Sequence, residues 1–358
     1  MQIIKNSSEK INPTDKKSLL MFKSKNHIMT ILVIVSIIVF FTSFTLGRYA
    51  IPLDELANVF LSKIFGLQKT WPDTIETVLL NVRLPRVLAA MIIGAALSLA
   101  GATYQGLFKN PMVSPDILGA SAGAGFGASI AILLSFNILG IQVAAFLFGM
   151  CAVMLTYIIS TIIGRNNNAI LVLVLTGMVV STLFSSFISM TKYVADPNGK
   201  LPAITFWLMG GLSSINSRDV LILTITVLLG AVPLYLIRWK LNVLSFGEEE
   251  AKALGIDTFK IRIIVIFCST LMTAACVSLS GMIGWVGLII PHFARMLVGP
   301  NYKILIPTSI LIGSTYLLIV DDIARSLFSI EIPLGILTSL IGAPFFIFML
   351  LKGKRGWI

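Results

Sequence analysis

The sequence predicts an all-α polytopic membrane protein with about ten transmembrane helices and both termini in the cytoplasm. Two observations predict this class. Of the 358 residues, 56% are hydrophobic and only 12% are charged, whereas soluble domains carry about 25% charged residues. The apolar residues are also gathered into runs of the roughly 20 residues that a helix needs to cross a bilayer. Membrane strands are excluded because no alternating barrel pattern occurs.

The chain begins with a polar tail at residues 1–27, which contains six lysines and is predicted to lie in the cytoplasm. The apolar run Ile28–Leu46 follows it. This run is too long for the hydrophobic region of a signal peptide, and no small-residue cleavage site follows it, so we interpret it as the first span. Residues 48–82 form an outer loop whose amphipathic segment, DELANVFLSKIF, is predicted to lie at the membrane interface.

Nine further spans complete a single transmembrane domain over residues 28–351. The predicted spans are Leu84–Phe108, Ile117–Leu134, Ile141–Ile163, Ala169–Met190, Val220–Ile237, Ile263–Leu279, Ile283–Val298, Ile304–Val320 and Pro333–Leu351. This topology returns the basic tail at residues 352–358 to the cytoplasm. It places about two thirds of the 27 lysines and arginines inside, as the positive-inside rule requires. We therefore interpret the net charge of +11 as a topology signal and expect lipid, not nucleic acid, as the partner.

Three arginines lie on the side that the charge bias disfavours. Arg83 and Arg86 lie at the start of the second span, and Arg325 follows the ninth. Each by itself is explained by an arginine that reaches toward lipid phosphate. Together they suggest a cationic collar at the outer mouth, where an acidic partner would dock.

Two carboxylates stand close to the last of these arginines. Asp321 and Asp322 are four and three residues before Arg325, so an ion-paired helix end is the simpler interpretation. The alternative is a proton relay, because carboxylates inside membranes are functional candidates.

The segment GASAGAGFG places Gly119, Gly123 and Gly127 at four-residue spacing on one predicted helix face. Small residues at this spacing let transmembrane backbones approach closely, and we interpret the three glycines as packing residues. A nucleotide-binding glycine loop is disfavoured because no strand precedes the segment.

The inner loop at residues 238–262 reads RWKLNVLSFGEEEAKALGIDTFKIR. Acidic residues at positions 248–250 begin a short helix that Gly255 is placed to end. Such a capped helix suits a docking surface, although a solvated loop is the ordinary interpretation. The chain contains no G-x-x-x-x-G-K-[ST] phosphate loop, so any ATP that drives it is hydrolysed by another chain.

Hydroxyl side chains are concentrated in the fifth predicted span. Thr176, Ser181, Ser185 and Ser186 either bond back to their own helix or line a water-filled pathway, and the sequence leaves both readings open. His292 has no second histidine nearby, and the three cysteines lack metal-ligand spacing. We therefore expect neither a metal site nor a disulfide.

These residues together resemble a known family. The string RLPRVLAAMIIGAALSLAGATYQGLFKNPMVSPDILGASAGAGFG is similar to the hallmark segment of FecCD-type, BtuC-like permeases. FWLMGGLSS, GEEEAKALGI, SGMIGWVGLIIPHFARMLVG and EIPLGILTSLIGAPFFIFMLLK resemble the later blocks of that family, in the same order. The resemblance covers about Arg83 to Leu351.

The resemblance implies a subunit that pairs with a second copy or a paralogue in the cytoplasmic membrane of a prokaryote. It implies two ABC ATPase subunits below, which use ATP and Mg²⁺, and a substrate-binding protein above, with no cofactor bound by this chain. Arg83, Arg86 and Arg325 would meet acidic residues of the binding protein. Coupling to the ATPase would fall on Glu248, Ala251, Leu254 and Gly255.

The resulting hypothesis is the permease subunit of an importer for iron(III)–siderophore complexes, with haem and cobalamin as further family cargoes. The alternative is an ion-coupled secondary transporter that uses Asp321 or Asp322 as a relay, although such sites usually lie near the midplane. A membrane-embedded enzyme is disfavoured because no nucleophile, metal-ligand or carboxylate cluster stands out.

Overall fold

A computed structural model describes residues 13–47, 49, 51–66, 69, 71–164 and 169–353. Residues 1–12 of the predicted polar tail and 354–358 of the basic tail lie outside the described residues, as does Arg48 of the outer loop. Within the described ranges the chain is helical and contains no strand, in agreement with the predicted all-α class.

Fifteen α-helices follow one another in this part of the chain. They are α1 Pro13–Ser43, α2 Leu53–Phe65, α3 Asp73–Thr77, α4 Leu84–Leu107, α5 Ala120–Leu133, α6 Ile138–Ile163, α7 Ala169–Val194, α8 Lys200–Met209, α9 Ser217–Leu236, α10 Arg238–Leu244, α11 Glu248–Ala253, α12 Thr258–Ser280, α13 Val286–Val298, α14 Tyr302–Ser326 and α15 Leu334–Gly353. A π-helical segment, Val78–Arg83, joins α3 to α4, and a short 3₁₀ turn, Pro115–Leu118, precedes α5.

Six of the described helices are long and apolar enough to cross a membrane, and each coincides with a predicted span. They are Asp73–Leu107, Ile138–Ile163, Ile170–Val194, Ser217–Leu236, Thr258–Ser280 and Tyr302–Ser326. Shorter apolar helices at His27–Ser43, Ala120–Leu133, Val286–Val298 and Leu334–Met349 coincide with the other four predicted spans.

Two helices begin earlier than the sequence predicted. Helix α1 begins at Pro13, inside the segment assigned to the polar tail, because proline suits a first helical position and the lysines that follow are good helix formers. The helix that contains α4 begins at Asp73. Pro85 lacks an N–H group, and the wider π-helical turn before it lets the chain continue through this proline.

Three helices form the centre of the bundle. The apolar windows of the α4, α12 and α14 spans are 78%, 72% and 61% buried, whereas those of α6, α7 and α9 are only 22–33% buried. The latter three helices therefore present most of their surface outward.

Paired glycines bring the central helices into backbone contact. A Cβ atom on Gly94 of α4 would lie 2.1 Å from the carbonyl oxygen of Gly313 in α14, and one on Gly101 would lie 1.8 Å from that of Gly287 in α13. No side chain fits at such distances, so only glycine permits this approach. The Ser98 hydroxyl, between these two contacts, donates to the Ser309 carbonyl of α14 at 2.9 Å.

We predict that Gly101→Ala lowers the free energy of unfolding by about 1–3 kcal/mol, because the added methyl group forces α4 and α13 apart. Gly284→Ala is the matched control, since a Cβ there meets nothing within 4 Å. Denaturant unfolding in detergent measures both variants. Equal midpoints for the two variants would contradict the close-packing argument.

Candidate functional site

Six charged side chains meet where α4 begins and α14 ends. This charged cluster consists of Arg83, Arg86, Asp321, Asp322, Arg325 and Glu331. Helices α4 and α14 run antiparallel along the glycine contact, so the first turn of one lies beside the last turn of the other. Glu331 comes from the connection between α14 and α15.

Arg86 is the centre of the cluster. Its Nε lies 3.0 and 3.1 Å from the two carboxylate oxygens of Asp321, and a terminal nitrogen adds a bond of 2.9 Å. The other terminal nitrogen donates to Glu331 at 2.9 Å. Asp321 is fully buried, and a forked arrangement of this kind is the strongest geometry for an arginine–carboxylate pair.

The other two arginines bind the chain around α1. Arg325 donates to Asp322, one turn earlier on α14, and to the hydroxyl and carbonyl oxygens of Ser43 at the end of α1. Arg83 donates to the carbonyl oxygens of Phe44 and Tyr49. Together these bonds hold α1 against α14 and α4.

The three arginines of the predicted cationic collar are buried in the protein instead of exposed at its outer surface. Arg83, Arg86 and Arg325 are only 4%, 7% and 5% exposed; Arg86 and Arg325 pair with carboxylates of the same chain, and Arg83 donates to backbone carbonyl oxygens. A charge buried this deeply requires a partner. The pairing of Asp322 with Arg325 agrees with the i→i+3 spacing. Asp321 instead has Arg86 as its main partner, with Arg325 Nε 3.7 Å away.

Sequence reasoning missed the contribution of Glu331. The sequence indicates this residue only as a single acidic side chain in the apolar stretch before Pro333. Its partner Arg86 is 245 residues away in the chain, so no local spacing could connect the two.

We predict that Asp321→Asn lowers the free energy of unfolding by about 3 kcal/mol, because it leaves the buried Arg86 with one partly exposed carboxylate. Asp73→Asn, which removes a carboxylate from an exposed pair with Lys69, is the control and should change stability little. Thermal unfolding in detergent compares the two. Similar melting temperatures would show that the forked pair does not hold the helices together.

A cavity of about 250 Å³ adjoins the charged cluster, and both Arg86 and Glu331 line it. The rest of its wall comes from three places where helices are interrupted. These are the segment after α8, the end of α12 and the start of α15, and the lining includes Gly210, Gly211, Ser213, Ser214, Ser280, Gly281 and Pro333.

The interrupted helices are joined by backbone bonds. The Leu334 amide donates to the Gly210 carbonyl at 3.0 Å, and the Gly211 amide donates to the Ser280 carbonyl at 2.8 Å. Gly281 has φ +67°, and a Cβ atom there would lie 2.2 Å from the Trp207 carbonyl oxygen. Non-helical backbone inside a membrane protein is tolerated only where protein buries it or water reaches it. This junction meets the first condition and borders a cavity that can meet the second.

The three packing glycines divide into two roles. Gly123 and Gly127 lie against α6, where added Cβ atoms would be 2.5 and 2.4 Å from the carbonyl oxygens of Phe148 and Ala144. Gly119 does not share their face, which corrects the prediction. It precedes α5 with φ +91° and faces Ser181 of α7, because the 3₁₀ turn before α5 ends on a left-handed residue.

The hydroxyl residues of the fifth predicted span lie on α7, outside the lining of the cavity. Thr176 is buried, Ser181 is half-buried, and Ser185 and Ser186 are exposed. Ser186 bonds back to the Thr182 carbonyl at 3.0 Å. Their assignment to a pathway remains a prediction, which depends on what covers the exposed face of α7.

Helices α10 and α11 form a projection at the opposite end of the bundle. Leu254 is 69% exposed, and Gly255, with φ +77°, ends α11 as predicted from its sequence position. Glu248 pairs with Arg262 of α12. Ala251 is fully buried, so it cannot contact another subunit directly, because it faces inward one turn before Leu254. Sequence reasoning missed Phe246, which is 79% exposed beside the short helix.

The histidine and the three cysteines lie apart from the charged cluster. His292 is half-buried in α13, Cys151 is exposed, and Cys268 and Cys276 are buried with free thiols. Across the part of the chain that the structure describes, no three His, Cys, Asp or Glu side chains form a group that could hold a metal ion.

Comparison with known proteins relates these features to a family. Residues 33–352 match the FecCD transport family. The chain is 41% identical to the molybdate import system permease protein MolB of Haemophilus influenzae, over 92% of this chain and 95% of that one. It is 36% identical to a protein of Helicobacter pylori named as a probable iron chelatin transport system permease protein, over 92% and 98%. Other relatives, 32–39% identical, are named for cobalamin, hemin and ferric citrate import.

A solved structure supports the same relationship. It describes an ABC transporter assigned to the metal-chelate type in an inward-facing conformation, with a TM-score of 0.82 and 40% identity over 91% of this chain and 99% of that one. Members of the family are membrane permease subunits, and ATP is hydrolysed by separate subunits. The chain belongs to the FecCD transport family and is an ABC importer permease.

Proposed function

We propose that this permease carries an iron(III)–siderophore complex across the cytoplasmic membrane of a prokaryote, with ten spans and both termini inside. The observation that carries the proposal is the cavity beside Arg86 and Glu331, lined by backbone where α8 and α12 end and α15 begins. Transporters place cargo sites where helices are interrupted, because the freed backbone groups and water can accompany a polar solute there. In the proposed topology this cavity opens toward the outer side.

The lining of the cavity supports passage of the cargo in preference to tight binding. Arg86 and Glu331 offset each other's charge, and the remaining polar groups are hydroxyls and backbone amides. A wall without net charge gives a bulky chelate weak contacts, which favours its release on the far side.

A second candidate cargo is molybdate. The relative named for molybdate import is 41% identical, compared with 36% for the relative named for iron chelatin. Both cargoes contain a metal bound through oxygen, so the cavity chemistry favours neither. Direct uptake measurements separate them.

The proposed pathway lies between two permease subunits, which are copies or paralogues. Helix α7 presents an exposed surface that includes Ser185 and Ser186 beside Val179, which is 69% exposed. Helix α15, which begins at the cavity, has Leu340 66% exposed. If α7 and α15 of one subunit face the same helices of the other, the pathway between the subunits is lined by both hydroxyl and apolar side chains.

We also propose that the binding protein docks at the charged cluster through acidic side chains. Arg83 and Arg86 suit this contact, because the bonds of Arg83 go to neutral carbonyl oxygens and one partner of Arg86, Glu331, is partly exposed. An approaching carboxylate can replace a carbonyl partner without leaving another charge unpaired.

The projection of α10 and α11 is the proposed contact with the ATPase, which uses ATP and Mg²⁺. Phe246 and Leu254 supply exposed apolar anchors there, and buried Ala251 packs the short helix onto the bundle. Movement of the two ATPase subunits would be transmitted to α12 through the ion pair between Glu248 and Arg262, because Arg262 belongs to that helix.

The ion-coupled alternative is disfavoured by the surroundings of Asp321. A proton relay has to exchange protons with water, but this carboxylate is fully buried and accepts three hydrogen bonds from Arg86. Protonation would remove the partner of a buried guanidinium, which opposes repeated proton transfer.

The cargo proposal predicts ATP-dependent accumulation of a ferric siderophore in proteoliposomes that contain the permease, its ATPase and loaded binding protein. The assay compares radiolabelled ferric chelates, molybdate and cobalamin at equal concentration. A complex without ATP and one with a hydrolysis-deficient ATPase are the controls. Accumulation of molybdate without the chelates would reject the iron assignment, and uptake driven by a proton gradient without ATP would reject the importer mechanism.

The coupling proposal predicts that Phe246→Glu and Leu254→Glu uncouple the ATPase from transport. A charge placed in an apolar contact costs about 2 kcal/mol or more, which weakens docking by roughly thirtyfold. Loss of binding-protein-stimulated ATP hydrolysis is the measurement. Phe136→Glu, at a residue 52% exposed in the connection between α5 and α6 and in neither proposed docking surface, is the matched control. Full stimulation in both coupling variants would place the ATPase contact elsewhere.

A further inference from the structure

Arg86 divides its hydrogen bonds between two elements with different burial. Its Nε and one terminal nitrogen bind Asp321, whose side chain is fully buried in α14. Its other terminal nitrogen binds Glu331, whose side chain is 37% exposed. One guanidinium thus links α4 both to the helix core and to the connection that leads into α15.

The Arg86–Asp321 and Arg86–Glu331 contacts differ in how readily they separate. Separation from Asp321 would leave a carboxylate buried without its main partner. Separation from Glu331 leaves Arg86 still bound to Asp321, and the released carboxylate is already close to water. The Arg86–Glu331 contact is therefore the part of the charged cluster that can break and re-form.

Glu331 lies in the connection between α14 and α15, three residues before α15 begins. The next residue, Ile332, donates its amide to the Ala324 carbonyl at 3.1 Å, and α15 starts two residues later with the Leu334 amide on Gly210. Both Arg86 and Glu331 are also part of the cavity wall. Movement of Glu331 would therefore shift the start of α15 and the wall of the cavity together.

We propose that Glu331 is the latch residue of the outer mouth, holding the start of α15 against α4 through Arg86 until a carboxylate of the docked binding protein takes its place. The proposal rests on the proposed import function, since it assigns the latch to the binding-protein side. A competing carboxylate is the chemistry that fits, because it offers Arg86 the same two-oxygen acceptor that Glu331 provides.

Accessibility of the cavity tests the latch without any cargo. Ser214 lines the cavity and is exposed, so Ser214→Cys introduces a reporter thiol in a Cys151→Ser background, which removes the exposed native thiol. The intact permease–ATPase complex in proteoliposomes is treated with a membrane-impermeant maleimide. We expect Glu331→Gln to raise the labelling rate about two- to fivefold, the effect of losing a partly exposed ion pair.

Two further variants separate a latch from a general structural role. Glu331→Asp retains the charge and should give a rate between those of the parent and Glu331→Gln. Asp73→Asn removes an exposed carboxylate away from the cavity and should leave the rate unchanged. Acidic binding protein should accelerate labelling in the parent but add little in Glu331→Gln.

Equal labelling rates in the parent and Glu331→Gln would overturn the proposal. A melting temperature of Glu331→Gln low enough to explain the faster labelling by partial unfolding would also overturn it. The result is independent of the cargo assignment. If iron uptake fails but Glu331→Gln still changes the labelling rate, the cargo proposal is rejected and the latch proposal stands. If iron is taken up but the labelling rate does not change, the latch proposal is rejected and the function stands.

Discussion

The contact between α4 and α14 is the interaction on which the rest of the molecule depends. It combines a backbone approach at Gly94 and Gly313 with the forked ion pair between Arg86 and Asp321. The first brings the two helices together along their length, and the second fixes their register at one end. Helix α1 is held through the same end by Ser43, which bonds to Asp322 and Arg325. A bilayer provides no hydrophobic drive between helices, so packing and polar contacts of this kind carry the association.

The backbone of the cavity wall follows from a second constraint. Every buried amide and carbonyl needs a partner, so a helix can end inside the protein only where another chain segment or water supplies one. The junction of α8, α12 and α15 meets this requirement with direct backbone bonds at Gly210, Gly211 and Leu334. The same glycines that allow the junction leave room for the cavity beside it.

Most of the helical architecture could be predicted from the sequence, because hydropathy is a local property. All predicted spans coincide with apolar helices of the structure, and the role of Gly255 in ending α11 also follows from local rules. The errors arose where three-dimensional surroundings override local pattern. The spacing of Gly119, Gly123 and Gly127 suggested one helix face, but a left-handed turn removes Gly119 from it. The motif around Ala251 suggested a contact surface, but helical rotation turns this residue inward.

The sequence by itself determined that this chain is a helical membrane protein without a phosphate loop, and its motifs were sufficient to indicate the family. Only the tertiary structure decided how its charges are used. Arg83, Arg86 and Arg325 looked like an outward collar because their nearest partners in sequence are few. Folding brings Asp321 and Glu331 to Arg86 across more than two hundred residues. Buried charges must be paired, and the partner that satisfies each one is chosen by helix packing, which no local pattern contains.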